Sequence, residues 1–411
     1  MKKMTLLLVA GVLSVVLLAG CSSVSSSSSK SDEVKIEFFQ YKSEAIPTFA
    51  KLIAKFEEEN PTIKVEQVSP PEAEVVLKTR VMKSDIPDII GIGANNNFKE
   101  LSKAGVYKDM TNDENLDKVQ PAYLQMLNDV TGLDGIYAVP YVANAVGVIY
   151  NKAIFKELGL EIPTTWYEFI AVAEKVKESG QTPFYFTFKD AWTTLPVFNV
   201  LAANTQGDDF YDELNKGNVL VGTRYKEATE KFVQLLDYGH KNQQGLAYND
   251  GNTAFANGES AMYLQGIWAI PEIKKANPEI DLGVFPYPIT NKPGESKVVS
   301  GIDLLLSIGA SSKHPEESQK FIDFLLKEEN LTMYIQEQNA FPALKGISQE
   351  EPSLEGLKES FEQGALVDFP DHYIPVGVPA DKYLQILVQN KDVAAFLDSM
   401  QKDWEKVEDR K

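Results

Sequence analysis

The sequence is poor in the residues that build disulfides, metal sites and catalytic dyads. Its 411 residues include one cysteine and three histidines. A single cysteine excludes an intrachain disulfide, so we expect packing alone to hold the fold together. No Cys/His cluster has the spacing of a zinc site, and no nucleophile motif is present. We therefore expect no metal and no cofactor.

Basic residues are also scarce relative to acidic ones. The chain has 40 Lys and Arg against 59 Asp and Glu, which gives a formal net charge of -19. Such a surface repels nucleic acid phosphates and anionic lipid headgroups, so nucleic acid is not an expected partner. Hydrophobic residues make up 44 % of the chain, as in ordinary globular proteins, and its length suits two domains.

The single cysteine, Cys21, follows a short apolar run near the N-terminus. Two lysines precede this run over residues 4–18, and two small residues stand directly before Cys21. The run is shorter than a typical membrane span, so it predicts a signal peptide over residues 1–20. The pattern is that of a bacterial lipobox, which predicts lipid attachment to Cys21. A core cysteine is the alternative interpretation.

A serine-rich segment follows the predicted lipid anchor. Residues 21–32 contain the lipidated cysteine and then a serine tract that cannot pack, so we expect a tether to a folded body that begins near Glu33. This arrangement predicts a protein held at the extracytoplasmic face of a bacterial cell membrane.

Hydrophobic periodicity predicts an α/β fold. Apolar residues alternate over residues 34–38, recur at helical spacing up to Asn60, and alternate again after it. This strand-helix-strand order favours parallel strands. Further strands are predicted over residues 88–92 and 147–150. Thr165 and Glu168 form a predicted capping box at the start of another helix.

Several stretches, in this order along the chain, resemble the lipid-anchored solute-binding proteins of bacterial ABC importers, in the extracellular family that includes maltose-binding protein. Besides the lipobox, the resemblance rests on KFEEENPTIKVE (55–66), IPDII (86–90), VPYVANAVGVIYNK (139–152), IPTTWYEF (162–169), TAFANGESAMYLQGIW (253–268), SGIDLLLSIGASSKHPEESQKFIDFL (300–325) and AFPA (340–343).

The resemblance implies a type II periplasmic-binding-protein-like fold, in which two α/β lobes are joined by three hinge crossings. The crossings would fall near residues 141–143, 285–288 and 341–343. The lobes would comprise residues 33–141 plus 287–341 (N-terminal) and residues 142–286 plus 342–411 (C-terminal). Ligand would bind between the lobes, and an importer permease in the membrane would receive it.

A carbohydrate ligand needs a flat aromatic surface and paired hydrogen-bond donors and acceptors. Trp268 lies where the family commonly places a stacking ring, and the alternative is a Trp packed between the lobes. Asp190 and Trp192 match a carboxylate and an aromatic of the maltose-binding pattern, or they form an ordinary loop. Asn144 stands where that pattern has a carboxylate, and an amide both donates and accepts hydrogen bonds.

The remaining candidates are polar or aromatic residues at predicted strand ends and in one late loop. These candidates are Gln40, Tyr41, Asn95, Asp303, Asp371 and His372. The alternative for Gln40 and Tyr41 is a solvated turn, and the alternative for Asp303 is a structural role. Because the maltose pattern has an acidic and then a basic residue where this chain has Asn95 and Asn96, maltose itself is not expected, and an oligosaccharide of another kind is favoured.

Two other functions remain open at this point. A surface glycosidase would need paired carboxylates, which Asp190 and Asp303 could supply, but their spacing in the sequence gives no support for it. A binding protein for a peptide, a polyamine or an organic anion is the other alternative. We expect a binding protein and not an enzyme.

Overall fold

The computed structural model describes residues 33–409, so the predicted signal peptide, Cys21 and the tether lie outside the described residues. Across residues 33–409, no helix combines the length and the apolar character needed to cross a bilayer. The strands of this part of the chain are β1 (Val34–Gln40), β2 (Ile63–Val68), β3 (Ile89–Ile92), β4 (Val139–Asn151), β5 (Phe184–Tyr185), β6 (Met262–Gly266), β7 (Leu282–Phe285), β8 (Val298–Ile308), β9 (Phe341–Pro342) and β10 (Leu366–Val367).

Helices connect and cover these strands. The α-helices are α1 (Ile46–Glu59), α2 (Ala73–Met82), α3 (Asn96–Lys103), α4 (Pro121–Thr131), α5 (Lys152–Glu157), α6 (Trp166–Glu178), α7 (Thr194–Ala203), α8 (Phe210–Asn215), α9 (Val221–Leu236), α10 (Tyr248–Ala256), α11 (Ile270–Ala276), α12 (Pro315–Leu325), α13 (Glu328–Gln338), α14 (Glu355–Glu362), α15 (Ala380–Asn390) and α16 (Val393–Glu408). Short 3-10 helices occur at Glu114–Lys118, Ala191–Thr193, Ile267–Ala269, Pro352–Leu354 and Pro370–His372.

One mixed sheet runs through the molecule in the order β2-β1-β3-β8-β4-β6-β5. β1 is parallel to β2 and to β3, as the predicted strand-helix-strand unit requires. β8 is antiparallel to both β3 and β4, while β7 and β9 pair with β4 and β10 pairs with β8. The carboxyl ends of β1 and β3 therefore open at the same edge, where open α/β sheets usually bind ligands.

The two longest strands, β4 and β8, join the two ends of the sheet. They pair with each other from Val139 opposite Leu306 to Val146 opposite Val299. The second half of β4 also pairs with β6 and β7, and the second half of β8 also pairs with β3. Each long strand therefore belongs to both ends of the molecule.

The pairing of β4 is irregular at the first predicted crossing. Its register against β8 shifts between Pro140 and Val142 and again between Val142 and Ala143. A proline has no N–H to donate to a ladder, which explains an irregularity at this point. β9, at the third predicted crossing, pairs with Val142 and Ala143. The lobe boundaries drawn from these crossings stay a prediction.

Two hydrophobic clusters lie at the two ends of the sheet. The first surrounds β1–β3 and the second half of β8, with contributions from α1, α12 and α13, and it extends to α10 and α11. The second surrounds β5, β6 and part of β4, with α6, α7, α9, α15 and α16. Tyr287, within the second predicted crossing, and Ile289, directly after it, are buried in the second cluster.

Local sequence patterns account for several of these elements. The capping box of α6 is confirmed, because Thr165 Oγ1 accepts a hydrogen bond from the Glu168 backbone and the Glu168 carboxylate accepts one in return. α7 is buried on every side, which fits its almost wholly apolar sequence. The strand predicted over residues 147–150 is only part of β4, so that prediction was too short.

Candidate functional site

A cavity of about 850 Å³ opens between the carboxyl ends of β1 and β3 on one side and α7 with the Ile267–Ala269 turn on the other. Nine of the ten predicted ligand-binding residues line it: Tyr41, Asn95, Asn144, Asp190, Trp192, Trp268, Asp303, Asp371 and His372. The tenth, Gln40, is fully buried at the end of β1. The structure thus gathers residues that are far apart in the sequence on one concave surface.

Asp303 is the centre of a polar network on the side of the cavity formed by the strand ends. One of its carboxylate oxygens accepts from Lys42 Nζ at 2.7 Å, and the other accepts from Asn144 Nδ2 at 2.8 Å and from the Tyr41 hydroxyl at 3.2 Å. The Tyr41 hydroxyl also contacts the Asp303 backbone carbonyl. Asn144 and Asp303 lie on β4 and β8, and Tyr41 and Lys42 directly follow β1, so the network ties these three strands together beside the cavity.

Lys42 is held between two carboxylates. Its ammonium group lies 2.7 Å from Asp303 and 2.9 Å from Glu44. Burial alone would lower the pKa of Lys42, but the two carboxylates outweigh it and raise that pKa well above its usual value. Burial would likewise raise the pKa of Glu44, and Lys42 lowers it. The lysine is therefore charged and neutralised, so it offers an anionic ligand little net attraction.

Two amides beside this network have unused hydrogen-bonding capacity. Asn144 Oδ1 is buried and has no hydrogen-bond partner among residues 33–409. Gln40 Oε1 accepts from the Lys42 backbone N–H, which shapes the turn after β1, while its Nε2 has no partner within the described part of the chain. A buried acceptor on a cavity wall is suited to a hydroxyl donor, because leaving it unsatisfied costs about 1–3 kcal/mol.

Three aromatic rings form the opposite side of the cavity. The Trp192 ring, which is 41 % exposed, lies 5.0 Å from the Tyr248 ring at an angle of 57°. Asp190 supports this pair, since its carboxylate accepts from the Tyr248 backbone N–H at 2.8 Å. Trp268 stands on the turn directly after β6 and is partly buried against the second cluster. Partly exposed rings of this kind are available for stacking.

Asn95 has a structural task in addition to its place on the wall. As the N-cap of α3, its side-chain oxygen accepts from the backbone N–H groups of Asn97 and Phe98. Its Nδ2 donates to Glu74 at 2.9 Å. The oxygen and the nitrogen of the Asn95 amide therefore both have hydrogen-bond partners in the protein before any ligand binds.

Asp371 and His372 lie on the 3-10 helix Pro370–His372, where two hydrogen-bonded pairs fix them. Asn199, from α7, donates to Asp371 at 2.7 Å, and His372 Nδ1 lies 2.9 Å from Asp368 Oδ1. Burial raises the pKa of Asp371. Burial alone would lower the pKa of His372, but Asp368 outweighs it and raises that pKa to about 9. His372 is therefore a cation at neutral pH.

The cavity walls are acidic overall. Within the described residues, seven carboxylates and one lysine line the cavity. The carboxylates are Glu44, Glu72, Glu74, Asp190, Glu272, Asp303 and Asp371. The lysine is neutralised by two of them, and the His372 cation is paired with Asp368, so the arrangement disfavours anionic ligands and suits neutral hydroxyl-rich or cationic ones.

A second cavity of about 870 Å³ lies further along α3 and α7. Asn96, which lines this second cavity, donates from Nδ2 to the backbone carbonyl of Ile374. This hydrogen bond connects α3 with the segment after the Pro370–His372 helix, so it bridges the two sides of the cleft.

Sequence reasoning missed several polar and aromatic residues of the first cavity, among them Lys42, Glu44, Asn199 and Tyr248. Lys42 and Glu44 directly follow Tyr41, so the same strand-end argument could have included them. Asn199 and Tyr248 lie on helices, where nothing in the sequence separates a cavity-lining position from an ordinary one.

The model of the family described as bacterial extracellular solute-binding protein matches residues 42–332. The multiple sugar-binding protein of Streptococcus mutans is 36 % identical over 361 residues, which are 86 % of this chain and 85 % of that protein. An uncharacterized ABC transporter extracellular-binding protein of Pyrococcus horikoshii is 28 % identical over 84 % of this chain and 79 % of its own length.

Solved structures give the same result for the fold. The structure titled SBP RafE in complex with raffinose superposes with a TM-score of 0.80 at 29 % identity, covering 91 % of this chain and all of that one. RafE comes from Streptococcus pneumoniae. The predicted type II fold class is confirmed by this similarity.

Proposed function

We propose that this chain, which belongs to the bacterial extracellular solute-binding protein family, captures an oligosaccharide in the first cavity and delivers it to an ABC importer. The similar protein of Streptococcus mutans is named for binding multiple sugars, and the RafE structure contains raffinose. Membership of an extracellular family places the site of action outside the cytoplasm.

The observation that carries this proposal is the pairing of aromatic rings with hydroxyl-matching polar groups across one cavity. Trp268, Trp192 and Tyr248 offer apolar faces for the C–H side of a sugar ring. Asn144 and Asp190 offer acceptors for its hydroxyl groups. The cavity volume of about 850 Å³ lies at the upper end of the range for small-molecule sites, so the cavity has room for more than one sugar ring.

The mechanism we propose is reversible capture without chemistry. The ligand binds to one side of the open cleft, and the other side then adds contacts that exist only in the closed form. The ligand shifts the population toward closure by that difference in affinity. Asp190 and Asp303 do not act as a glycosidase pair in this proposal, since Asp303 is 6 % exposed and is committed to Lys42, Tyr41 and Asn144.

A cationic solute such as a polyamine is the second candidate, because the walls carry seven carboxylates. A neutral sugar is favoured over a cation because several of these carboxylates already have partners in the protein. Two of these carboxylates, Asp303 and Glu44, already neutralise Lys42, and Asp371 is held by an amide and has a pKa raised by burial.

A thermal-shift screen of residues 33–411 tests the proposal. The panel comprises raffinose, stachyose, chitotriose, glucose and spermidine. A saccharide at 100 times its dissociation constant should stabilise the protein by about 2.7 kcal/mol. Stabilisation by a tri- or tetrasaccharide with recovery of the unchanged sugar supports capture. Stabilisation by spermidine alone, or hydrolysis of the sugar, would refute it.

We also propose that Cys21 carries a lipid that holds the protein at the cell membrane, with residues 22–32 as the tether. The support is the sequence pattern before Cys21. In cells that make the Cys21→Ala variant, we expect the protein in the medium or the soluble fraction, whereas Cys21→Ala protein that still sediments with membranes would contradict the anchor. A Ser25→Ala variant, changed within the tether, is the matched control.

A further inference from the structure

We propose that Gly266 is a positioning residue for the sugar-stacking ring of Trp268, and that it is glycine because a side chain there would displace the indole. This inference rests on the proposed function and adds a residue to the site. A Cβ atom built on Gly266 would lie 2.0 Å, 2.1 Å and 2.3 Å from three carbon atoms of the Trp268 ring. The indole therefore lies directly on the glycine at the end of β6.

Backbone conformation does not explain the glycine. Gly266 has φ -81° and ψ 161°, which is ordinary extended backbone that every residue adopts. It is the last residue of β6 and stands opposite Val146 of β4. Alanine is therefore compatible with the strand, and the three atoms nearest to its Cβ would all belong to the Trp268 ring.

The ring has to give way because the backbone around it is fixed. Ile267 and Ala269, on either side of Trp268, are completely buried. Trp268 itself is partly exposed and lines the cavity. Displacing the indole from Gly266 therefore moves it toward the space that a ligand would occupy, and the flat surface is lost even though the tryptophan is retained.

The test compares the variants Gly266→Ala, Trp268→Ala and the double variant, with raffinose as the probe in isothermal titration calorimetry. We expect each single variant to bind raffinose about tenfold or more weakly, the usual scale for losing an aromatic contact. We expect the double variant to bind no more weakly than Trp268→Ala alone, because Gly266 acts only through the ring.

Gly222→Ala is the matched control. A Cβ atom on Gly222, in α9, would meet only Leu397 at an ordinary 3.8 Å. We expect its raffinose affinity to equal that of the wild type. Wild-type affinity in Gly266→Ala, or a double variant clearly weaker than Trp268→Ala, would overturn the positioning role.

Thermal unfolding without ligand tests the same contact independently of any sugar. We expect Gly266→Ala to unfold at a lower temperature than the wild type, and the double variant to unfold at a higher temperature than Gly266→Ala, because removing the indole relieves the clash. If Gly266→Ala does not fold while the double variant does, the inference stands. If Gly266→Ala is as stable as the wild type, or if the double variant is no more stable than Gly266→Ala, the inference fails.

The two readouts separate this inference from the proposed function. Absence of raffinose binding by the wild type counts against raffinose as a ligand, while the unfolding comparison still decides whether Gly266 positions the ring. Unchanged raffinose affinity in Trp268→Ala removes the stacking role, and with it the functional meaning of Gly266.

Discussion

Asn144 and Asp303 meet across the two long strands, where Asn144 Nδ2 donates to Asp303 Oδ1 at 2.8 Å. They are diagonal neighbours, since Asn144 pairs with Gly301 in the register of β4 and β8. The contact leaves Asn144 Oδ1 facing no partner within residues 33–409. Asp303 thus fixes the orientation in which the amide presents its acceptor, and the same carboxylate neutralises Lys42.

Removing the charge of Asp303 should destabilise the protein. In Asp303→Asn, the buried Lys42 keeps only Glu44 as an anionic partner, so we expect the free energy of unfolding to fall by about 2–3 kcal/mol. Urea unfolding followed by circular dichroism measures this. Asp208→Asn is the control, because Asp208 is 85 % exposed and its pair with Lys297 should contribute about 0–1 kcal/mol. Equal losses in both variants would contradict a central role for Asp303.

The stability of the protein should fall in mildly alkaline solution. His372 has a pKa of about 9 in the folded protein, above its ordinary 6.5, so the folded state holds the proton more tightly than the unfolded state. This stabilisation is complete below pH 6.5 and is lost as the pH rises through 9. We expect His372→Asn to flatten the decline in melting temperature between pH 7 and 9.5.

His240→Asn is the control for this pH dependence. Burial lowers the pKa of His240, so the folded state holds that proton less tightly than the unfolded state and its titration cannot reduce stability as the pH rises. The His240→Asn variant should therefore retain the wild-type decline between pH 7 and 9.5. An unchanged decline in His372→Asn would show that another group is responsible.

Asn96→Ala should weaken raffinose binding although Asn96 lies outside the first cavity. The variant removes the hydrogen bond to Ile374 that bridges the cleft, so the closed form is less favoured. One such bond corresponds to an affinity loss of about three- to tenfold. Stopped-flow fluorescence should show that raffinose dissociates faster from Asn96→Ala than from the wild type. Lys103→Ala, a change in the second cavity at a residue paired with Glu100 on the same helix, should leave that rate unchanged.

The acidic walls should reject acidic sugars. Galactotriose and trigalacturonate have the same ring number and differ in their carboxylates, so they form a matched pair. Seven carboxylates line the cavity, and its two cations, Lys42 and His372, are each paired with a carboxylate, so trigalacturonate should give no thermal stabilisation at concentrations where neutral trisaccharides do. Stabilisation by trigalacturonate equal to or above that by galactotriose would show that the cavity accepts organic anions.

Hydrophobic periodicity predicted the first strand and helix, and the positions of strand ends predicted part of the site. The alternation at residues 34–38 and the helical spacing after it correspond to β1 and α1. The strand-end argument selected Tyr41, which lines the cavity, because parallel strands deliver their carboxyl ends to a common edge. The resemblance to the family supplied Trp268 and Asp190, whose local sequence alone is compatible with an ordinary turn or loop.

What could not be predicted depends on tertiary contacts. The sequence did not show that a single strand, β4, runs through the first predicted crossing with an irregular register. Asn95 looked like a ligand-facing amide, and the structure adds that it caps α3 and binds Glu74. Asn199 contributes to the site only because α7 passes beside the Pro370–His372 helix, and a buried apolar helix carries no local signal of that neighbour.

The shared strands β4 and β8 determine how the molecule comes apart. Neither end of the sheet is complete on its own, because β4 and β8 form hydrogen-bonded ladders at both ends of the sheet. Calorimetry should accordingly record one heat-absorption peak, since melting either end strips the other of strands that it requires. If the proposed cleft closure is right, the two sides of the cleft would move as parts of one cooperative unit and would not unfold independently.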